Sequence, residues 1–400
     1  MKQQVVAALD IGTKSIKLAV AAVTDEGTLD VLSTVEEPAF GVRKGVVAHS
    51  QDVAKHIASL VSKAEQLTSH TIEEVSCSIG GSRLFCVPSH GLVAVSRADS
   101  QISQEDVDRV LLGAQTFSLS RNQEILDVYP VQYIVDGEPG IKEPIGMKAV
   151  RLEVDVLAVC LFSPDLKNLT EAVLEAGLEI TGIHPGPVVA ASAVLTPQQK
   201  ERGVAVVDLG AGTTSIAVFE EGDLQHLAVL PVGSQNITDD LAVGLRCEHD
   251  AAERIKTEFG ALLGPKGKRQ ERLEVADGEE LVFTTKLVSH IIEARVKEIF
   301  ELVSKELKVV EKQGDLPGGV VLCGGGAKLP KIAEFAKKEL KLPVRVGSFE
   351  AGTLLEKDPS FLTVLGLLVE AAEDENRVRE PKRTLPGAGW LKRLFQSLIP

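Results

Sequence analysis

Paired cysteines are missing from this sequence. Its 400 residues include five cysteines that stand far apart, with no C-x-x-C pair and no histidine cluster at metal-ligand spacing. They are Cys77, Cys86, Cys160, Cys247 and Cys323. Cys160 and Cys323 lie in apolar, strand-like runs. The sequence therefore predicts five reduced thiols, most of them in the core of a cytoplasmic protein.

Long apolar runs are also missing. No segment approaches the ~20 apolar residues that a membrane-spanning helix requires. The N-terminal segment MKQQVVAALDIG has one lysine before an apolar run that Asp10 interrupts, so it lacks the apolar region and cleavage site of a signal peptide. We therefore expect a protein that is neither secreted nor membrane-spanning.

Positive charge and aromatic residues are scarce. The net charge is -14 and only 4% of residues are aromatic, with no basic stripe between aromatics, so nucleic acid is a poor candidate partner. The G-x-x-x-x-G-K-[ST] motif is absent, and no G-x-G-x-x-G follows a predicted strand, which argues against P-loop and dinucleotide-binding proteins. With 44% hydrophobic residues, the chain is long enough for two core-bearing units or one bilobal body.

Two segments, half a chain apart, share one pattern. VVAALDIGTKSIKLAVAAV passes from an apolar run through Asp-x-Gly-Thr into a second apolar run, and GVAVVDLGAGTTSIAVF does much the same. Each predicts a β-hairpin. Asp10 and Asp208 lie 198 positions apart, so the simplest account is two related lobes that each open with this hairpin.

Phosphate binding explains the pattern chemically. Glycine in a tight turn permits positive φ and a close approach of backbone N–H groups to phosphate, and Thr and Ser hydroxyls add donors. Asp10 and Asp208 would face each other across a cleft and hold a hydrated Mg²⁺. A single Asp-x-Gly turn is more often ordinary turn chemistry. Two copies, half a chain apart, favour the phosphate site.

A third segment, GGVVLCGGGAKLPKIAEFAKKEL, predicts a strand, a glycine turn and an amphipathic helix. The apolar face of that helix would carry Ile332, Phe335, Ala336 and Leu340. The glycines would let the backbone lie against a flat ligand such as adenosine, with the helix N-terminus directed at phosphate. An ordinary strand-to-helix turn of an α/β fold fits this segment alone equally well.

Together these elements resemble the actin, Hsp70 and sugar-kinase superfamily of two-lobed ATPases. Within it, the chain resembles the FtsA family of bacterial cell-division proteins. The most specific stretch is NQEILDVYPVQYIVDGEPGIKEPIGMKAVRLEVDV, which is similar to that family's inserted subdomain. SIGGSRLFCVPSHGLVAVS, NLTEAVLEAGLEITGI and NITDDLAVGL are also similar to the family, so the resemblance covers nearly the whole chain.

The resemblance implies an α/β, two-lobed, actin-like fold of the ribonuclease H-like type. Its first lobe would comprise 1–82, 163–200 and 351–372, interrupted by the family's own subdomain at 83–162. Its second lobe would comprise 203–230 and 316–350, with a helical subdomain at 231–315. A disordered linker at 373–388 and an amphipathic membrane-targeting helix at 389–400 would follow.

The resemblance also assigns nucleotide-binding residues. The phosphate turns would be Asp10, Gly12, Thr13, Lys14 and Ser15, and Asp208, Gly210, Ala211, Gly212, Thr213 and Thr214. The adenosine turn would be Gly324, Gly325, Gly326 and Ala327. Glu253 and Lys256, three apart on a helix, would approach ribose and adenine, with Asn236 nearby; a solvent-exposed ion pair is the alternative. Arg295 matches a position that contacts the acidic FtsZ tail, and a solvated helix face fits it nearly as well.

No residue is a clear candidate for a catalytic role in ATP hydrolysis. Many actin-like ATPases carry a Glu or Gln before the second-lobe hairpin to orient water, but here the region reads GIHPGPVVAASAVLT. His184 is its one side chain able to act on a proton, and its neighbours suggest a loop. We therefore expect ATP binding with weak or slow hydrolysis.

The C-terminal WLKRLFQSLIP is amphipathic. On a helical wheel the apolar side chains fill one half and the polar ones the other. The membrane-facing segment would contain Trp390, Leu391, Lys392, Arg393, Leu394, Phe395, Leu398 and Ile399. From Arg377 onward six Lys or Arg oppose one Glu, which suits an anionic lipid surface. A helix that docks on its own domain or on a partner's groove has the same pattern.

Together with the family resemblance, these observations lead us to expect a cytoplasmic, peripheral membrane protein that binds Mg²⁺ and ATP. The resemblance further implies that it polymerises at the division site. By the family resemblance its partners would be the FtsZ C-terminal tail, further copies of itself, an anionic membrane and other division proteins. The alternatives are a small-molecule kinase of the same superfamily and a peptide-binding assembly protein like PilM.

Overall fold

Strands and helices alternate along the chain. The structure, a computed structural model, describes residues 4–24, 28–96, 99–264, 269–274, 280–312, 315–349 and 358–379. The strands are β1 (Gln4–Ile11), β2 (Ser15–Val23), β3 (Leu29–Pro38), β4 (Val42–Arg43), β5 (Val46–Val47), β6 (Glu74–Ile79), β7 (Phe85–Ala94), β8 (Gln123–Val135), β9 (Glu138–Ile141), β10 (Arg151–Phe162), β11 (Glu179–Pro185), β12 (Val204–Leu209), β13 (Thr214–Glu220), β14 (Asp223–Leu230), β15 (Gln270–Glu274), β16 (Glu280–Thr284), β17 (Val320–Cys323) and β18 (Val344–Val346). The helices are α1 (Ser50–Thr68), α2 (Gln104–Ala114), α3 (Ser163–Glu175), α4 (Gly186–Val194), α5 (Pro197–Arg202), α6 (Ser234–Leu245), α7 (His249–Phe259), α8 (Thr285–Val309), α9 (Ile332–Leu340) and α10 (Leu362–Arg379).

The chain builds one five-stranded arrangement twice. In the first lobe the strand order is β11-β6-β1-β2-β3, with β1, β2 and β3 antiparallel and β6 and β11 parallel to β1. In the second lobe the order β18-β17-β12-β13-β14 repeats this topology, with β12 to β14 antiparallel and β17 and β18 parallel to β12. Both hairpins are present, and the prediction of two related lobes is confirmed.

The hydrophobic core is shared between the lobes. Side chains alternate between the two faces of a strand. In β12, Val204 and Val206 belong to the apolar cluster of the first lobe, whereas Ala205, Val207 and Leu209 belong to that of the second. A strand buried on both faces reads as a continuous apolar run, which is the pattern seen in the sequence.

The inserted subdomain follows β6. It comprises β7, α2, β8, β9 and β10, with a small core of its own between α2 and the sheet. Strand β10 lies between β7 and β8 and is antiparallel to both. Its sheet joins that of the second lobe where Phe85 of β7 pairs with Ala228 of β14. The result is a nine-stranded sheet that runs from β18 to β9.

Helix α10 returns the chain to the first lobe. It packs on α4 and β1, and Leu362, Leu365 and Leu368 are buried there. The helix continues to Arg379, so the part of the expected linker from 373 to 379 is helical. Four of the seven residues of this stretch are Glu or Arg, which are good helix formers, and Pro381 is the first residue after it that opposes a helix. The expected membrane-targeting segment, with the rest of the linker, lies outside the described residues.

No helix within the described residues has the length and apolar content needed to cross a bilayer.

Substitution at Gly366 tests the contact between α10 and α4. A Cβ at Gly366 would lie 1.8 Å from the carbonyl oxygen of Val189, which is backbone of α4 and has little room to move. We expect Gly366→Ala to lower the free energy of unfolding by about 1–3 kcal/mol, as overpacking does. Denaturant unfolding measures the change.

Gly113→Ala is the matched control for that measurement. Gly113 lies in α2, and a Cβ there would meet no atom within 4 Å. Helix propensity alone then acts, and the substitution should be neutral or stabilising by up to about 1 kcal/mol. Equal midpoints for Gly366→Ala and the wild type would contradict the close contact.

Candidate functional site

A cavity of about 520 Å³ lies between the two lobes. This volume is within the ~300–1,000 Å³ typical of small-molecule sites. The cavity is bounded by the β1–β2 turn, the β12–β13 turn, the glycine turn after β17, α7 and the N-terminal ends of α4 and α10. The structure brings most of the predicted site residues to its wall. They are Asp10, Gly12, Thr13, Lys14, Ser15, Asp208, Gly210, Ala211, Thr213, Glu253, Lys256, Gly324, Gly325 and Gly326.

The two hairpin turns close in the same way. The N–H of Gly12 donates to the carbonyl of Ser15 at 3.0 Å, and the N–H of Gly210 donates to that of Thr213 at 3.0 Å. A Cβ at Gly12 would lie 2.9 Å from the Ser15 oxygen, and one at Gly210 would lie 3.0 Å from the Thr213 oxygen. Neither glycine has a positive φ. Close backbone approach is what requires glycine here.

The glycine turn after β17 lies against the second carboxylate. Gly324 has φ 81°, and a Cβ there would lie 2.1 Å from Oδ1 of Asp208. A Cβ at Gly326 would lie 2.5 Å from the side chain of Leu209. A Cβ at Gly325, by contrast, would meet no atom within 4 Å. Gly324 and Gly326 therefore serve the packing of the turn, whereas Gly325 presents open backbone to the cavity.

A short 3₁₀ helix, Gly325–Lys328, follows this turn directly. The amphipathic helix α9 begins only at Ile332, so its N-terminus does not follow the glycines as expected. Pro330 explains the break, because a proline disfavours the helical region for the residue before it and Leu329 has ψ 126°. The predicted apolar face of α9, from Ile332 to Leu340, is confirmed.

Asp10 and Asp208 end equivalent strands and line the same cavity. Asp10 accepts a hydrogen bond from Ser78 at 2.6 Å, and Asp208 accepts one from Thr363 at 3.0 Å. Burial and then the charge of Asp10 raise the pKa of Asp208 to about 6, although Thr363 and Lys17 act to lower it. Two carboxylates that repel each other in a concave site suit a divalent cation, which would relieve the repulsion. The residues present therefore fit Mg²⁺.

Glu253, which is half-buried, and Lys256, which is buried, form an ion pair in the cavity wall, so the alternative of a solvent-exposed pair is wrong. The carboxylate of Glu253 lies 2.6 Å from Nζ of Lys256, whose side chain is 10% exposed, and 2.5 Å from Nζ of Lys14. Thr238 donates to Glu253 at 2.6 Å. Burial acts to raise the pKa of Glu253, but these hydrogen bonds outweigh it and lower the pKa to about 2. Since Lys14 belongs to the first lobe, its ion pair with Glu253 crosses the cleft.

Four predicted residues lie behind the cavity wall. A Cβ at Gly212 would lie 2.8 Å from Oγ1 of Thr13, so this glycine packs against the other hairpin. The hydroxyl of Thr214 is buried and donates to a backbone carbonyl. The side-chain oxygen of Asn236 accepts the N–H of Gly233, the residue before α6, at 3.0 Å and so caps that helix. Ala327 is buried in the apolar cluster of the second lobe. Contact of these four with a ligand stays a prediction.

Arg295 lies on a helix of the second lobe as expected, whereas His184 does not lie in the expected loop. Arg295 on α8 makes two hydrogen bonds to Asp240, at 2.7 and 2.9 Å, and one to Glu298 at 2.5 Å. It is therefore engaged by carboxylates of its own chain and is not a solvated residue. His184 lies in β11 and not in a loop, and Gly186 and Pro187 are the residues of that region that line the cavity.

Sequence reasoning missed Lys17, Ser78 and Thr363. Lys17 is buried, lines the cavity and lies 3.7 Å from Glu36. Its signal was visible, since it is the one charged residue of the apolar strand β2. Ser78 and Thr363 had no comparable signal, because they reach the carboxylates from strands and helices far away in the sequence.

Comparison with known proteins assigns the family. The family model "Cell division protein FtsA" matches residues 205–366, and the model "SHS2 domain inserted in FTSA" matches 81–160. Cell division protein FtsA of Bacillus subtilis is 37% identical over 90% of this chain and 82% of the relative. That of Neisseria meningitidis is 34% identical over 98% of this chain and 97% of the relative. The chain belongs to the FtsA family.

Solved structures confirm the actin-like fold. The PilM-PilN type IV pilus biogenesis complex has a TM-score of 0.66 at 18% identity and covers 92% of this chain and 98% of that one. MreB5 of Spiroplasma citri bound to ADP has a TM-score of 0.58 at 15% identity and covers 94% and 99%. At these identities the similarity shows the fold alone. The FtsA family and the inserted subdomain are assigned from the family models and the relatives, not from these structures.

Substitution of Asp208 tests its electrostatic state. Because its folded-state pKa lies above the usual 3.8, the folded protein loses stability as the pH rises from about 4 through about 6. Asp208→Asn removes the charge and keeps an acceptor for Thr363, so it should stabilise the ligand-free protein by about 1–3 kcal/mol at pH 7. The gain should vanish near pH 4, where Asp208 itself is protonated. Unfolding in denaturant at both pH values measures it.

The control is Asp52→Asn, which removes a carboxylate that is 54% exposed on α1. Because Asp52 lies in the first turn of α1 and pairs with Lys55, its substitution should lower stability at pH 7 by up to about 1 kcal/mol, opposite in sign to the change at Asp208. A loss of stability in Asp208→Asn at pH 7 would show that the carboxylate is stabilised by its surroundings and not strained by them.

Proposed function

We propose that this protein binds Mg²⁺-ATP in the inter-lobe cavity, polymerises through further copies of itself and links the FtsZ ring to the cytoplasmic face of the membrane. One observation carries the nucleotide part of the proposal. Two equivalent turns, each following a carboxylate, meet a glycine turn at one cavity in a member of the FtsA family. The proposal extends to the recruitment of other division proteins.

The cavity offers a distinct environment for each part of the nucleotide. Backbone N–H groups and the hydroxyls of Thr13, Ser15 and Thr213 suit phosphate oxygens. Asp10 and Asp208 would hold Mg²⁺, through water where the distance requires it, and the cation would neutralise phosphate charge. The open backbone at Gly325 suits the flat adenosine. The similarly folded MreB5 has been solved with ADP and with AMPPNP, which supports a nucleotide.

Glu253 and Lys256 are proposed to face the ribose and the base. Their hydrogen bonds to Thr238 and to each other fix both side chains in the wall of the cavity. A carboxylate held in this way can accept the ribose hydroxyls. Burial lowers the pKa of Lys256 while Glu253 acts to raise it. A ligand that replaces water beside the pair would therefore change the pKa of Lys256.

Slow turnover fits the cavity better than fast hydrolysis. The junction of β11 and α4 contributes to the cavity Gly186, which has no side chain, and Pro187, whose side chain has no group that could accept a proton from water. We propose that bound ATP acts mainly as a switch for assembly.

Membrane attachment is proposed from the sequence of the C-terminal segment. A single short amphipathic segment binds lipid weakly and reversibly. Copies joined in a filament would raise the avidity by ~10² or more. Assembly would thereby control attachment.

The FtsZ tail is proposed to bind near Arg295. Because Arg295 already holds Asp240 and Glu298, an acidic peptide would have to replace these carboxylates or bind beside them. Membership of the FtsA family favours this role over the small-molecule kinase and the PilM-like alternatives.

Gly325→Val tests the nucleotide site without disturbing the fold. The new side chain would enter the cavity from a position where a Cβ meets no protein atom. We expect unchanged thermal stability without ligand and at least a tenfold weaker affinity for Mg²⁺-ATP, about 1.4 kcal/mol, by isothermal titration calorimetry. Gly113→Ala, which lies outside the cavity, should bind as the wild type does. Unchanged affinity of Gly325→Val would exclude the ligand from this turn.

Co-sedimentation with anionic liposomes tests the membrane part. The full chain should pellet, more so with Mg²⁺-ATP, and a chain truncated after Leu385 should stay in solution. Neutral liposomes serve as the control for charge. If both chains stay in solution with anionic liposomes, the segment docks on protein and the anchor is excluded.

A further inference from the structure

The meeting point of β7 and β14 carries a group of side chains outside the inter-lobe cavity. This strand seam joins the inserted subdomain to the second lobe through the pair Phe85 and Ala228. Cys86 lies next to that pair and is half-buried. Its sulfur accepts the N–H of Leu227 at 3.4 Å, and its thiol can donate to the carbonyl of the same residue at 3.3 Å.

His226 lies between this thiol and a carboxylate. Its Nδ1 is 3.7 Å from Sγ of Cys86, and its Nε2 is 3.0 Å from Oε2 of Glu306 on α8. Because an ionised carboxylate only accepts hydrogen bonds, Nε2 carries a proton and Nδ1 of the neutral ring is the acceptor that faces the thiol. Glu306 thus orients the imidazole and stabilises its protonated form.

The surroundings make the imidazole of His226 a stronger base. Burial acts to lower the pKa of His226, but the contacts with Cys86 and Glu306 outweigh it and raise the pKa. The thiolate is the nucleophilic form of cysteine, and an imidazole nitrogen 3.7 Å from Sγ is placed to take the thiol proton. The N–H of Leu227 supplies a donor to the same sulfur.

The other four cysteines lack this environment. Burial raises the pKa of Cys77 to about 12 and that of Cys160 to about 11, and it raises those of Cys323 and Cys247 as well. Cys77, Cys160 and Cys323 are also buried, whereas Cys247 is half-buried like Cys86. Cys247 is therefore an internal reference of similar accessibility with no imidazole partner among the contacts that the structure gives it.

We propose that Cys86 is an oxidation site, at which hydrogen peroxide converts the thiol to a sulfenic acid with His226 as the base. Nδ1 takes the thiol proton, and the sulfur attacks one peroxide oxygen. The S–O bond forms as the O–O bond breaks, and the departing hydroxide takes a proton from the imidazolium and leaves as water. Sulfur loses two electrons and the peroxide gains them. The modification places an oxygen where the inserted subdomain meets the second lobe.

Dimedone trapping tests the site on the reduced full-length protein. The chain is exposed to hydrogen peroxide at pH 7 with dimedone, and labelling is followed at each cysteine by peptide mass spectrometry. We expect Cys86 to be labelled at least about tenfold faster than Cys247. His226→Asn should slow labelling of Cys86 about tenfold or more, as loss of a general base does, and Glu306→Gln should slow it by less.

Thermal unfolding of each variant separates reactivity from misfolding. The rate at Cys247 within the same sample provides a second check, since unfolding would raise labelling there and at the buried cysteines. Glu306→Gln, which keeps the shape of the side chain and a hydrogen-bond acceptor, remains informative if His226→Asn fails to fold. Labelling of Cys86 no faster than that of Cys247, or at the wild-type rate in a folded His226→Asn or Glu306→Gln, would overturn the proposal.

Discussion

Burial of β12 on both faces is the constraint on which the rest of the molecule depends. One face of this strand completes the core of the first lobe and the other completes the core of the second. The strand therefore has little freedom to shift, and Asp208 at its end is held in a fixed place. The turn after β12, the glycine turn beside it and the first turn of α10 are all positioned relative to that carboxylate. The cavity is rigid at its base for this reason.

The part of the cavity between the β1–β2 turn and α7 depends on weaker interactions. There the lobes are joined by the ion pair of Lys14 with Glu253, and Lys14 is largely exposed to solvent. Exposed ion pairs contribute about 0–1 kcal/mol and are screened by salt. A ligand can replace such a contact at little cost, whereas it cannot open the shared core. The entrance of the cavity can thus adapt to a ligand while the carboxylates stay in place.

The features that the sequence predicted well are local ones. Both hairpins, the strand before Gly324 and the apolar face of α9 follow from patterns that span fewer than about 25 residues. The one long-range prediction was that the chain has two related lobes. It came from the similarity of the segments around Asp10 and Asp208, and such a comparison does not require the two segments to be in contact. Contacts between residues that lie far apart along the chain could not be predicted in this way. Ser78 and Thr363 meet the carboxylates only after folding, and Arg295 meets Asp240 across two helices. The delay of α9 to Ile332 could have been predicted from Pro330.

The three consecutive glycines after β17 are constrained in two different ways. At Gly324 and Gly326 any side chain collides with the protein's own atoms, so these positions are maintained by the need to fold. At Gly325 a Cβ would meet no protein atom within 4 Å, so the packing of the protein does not require glycine there. A methyl group at the first or third glycine would therefore strain the turn, whereas one at the second would leave the turn unchanged. The middle glycine is thus the position of this turn whose substitution changes the shape of the cavity and not the packing of the protein.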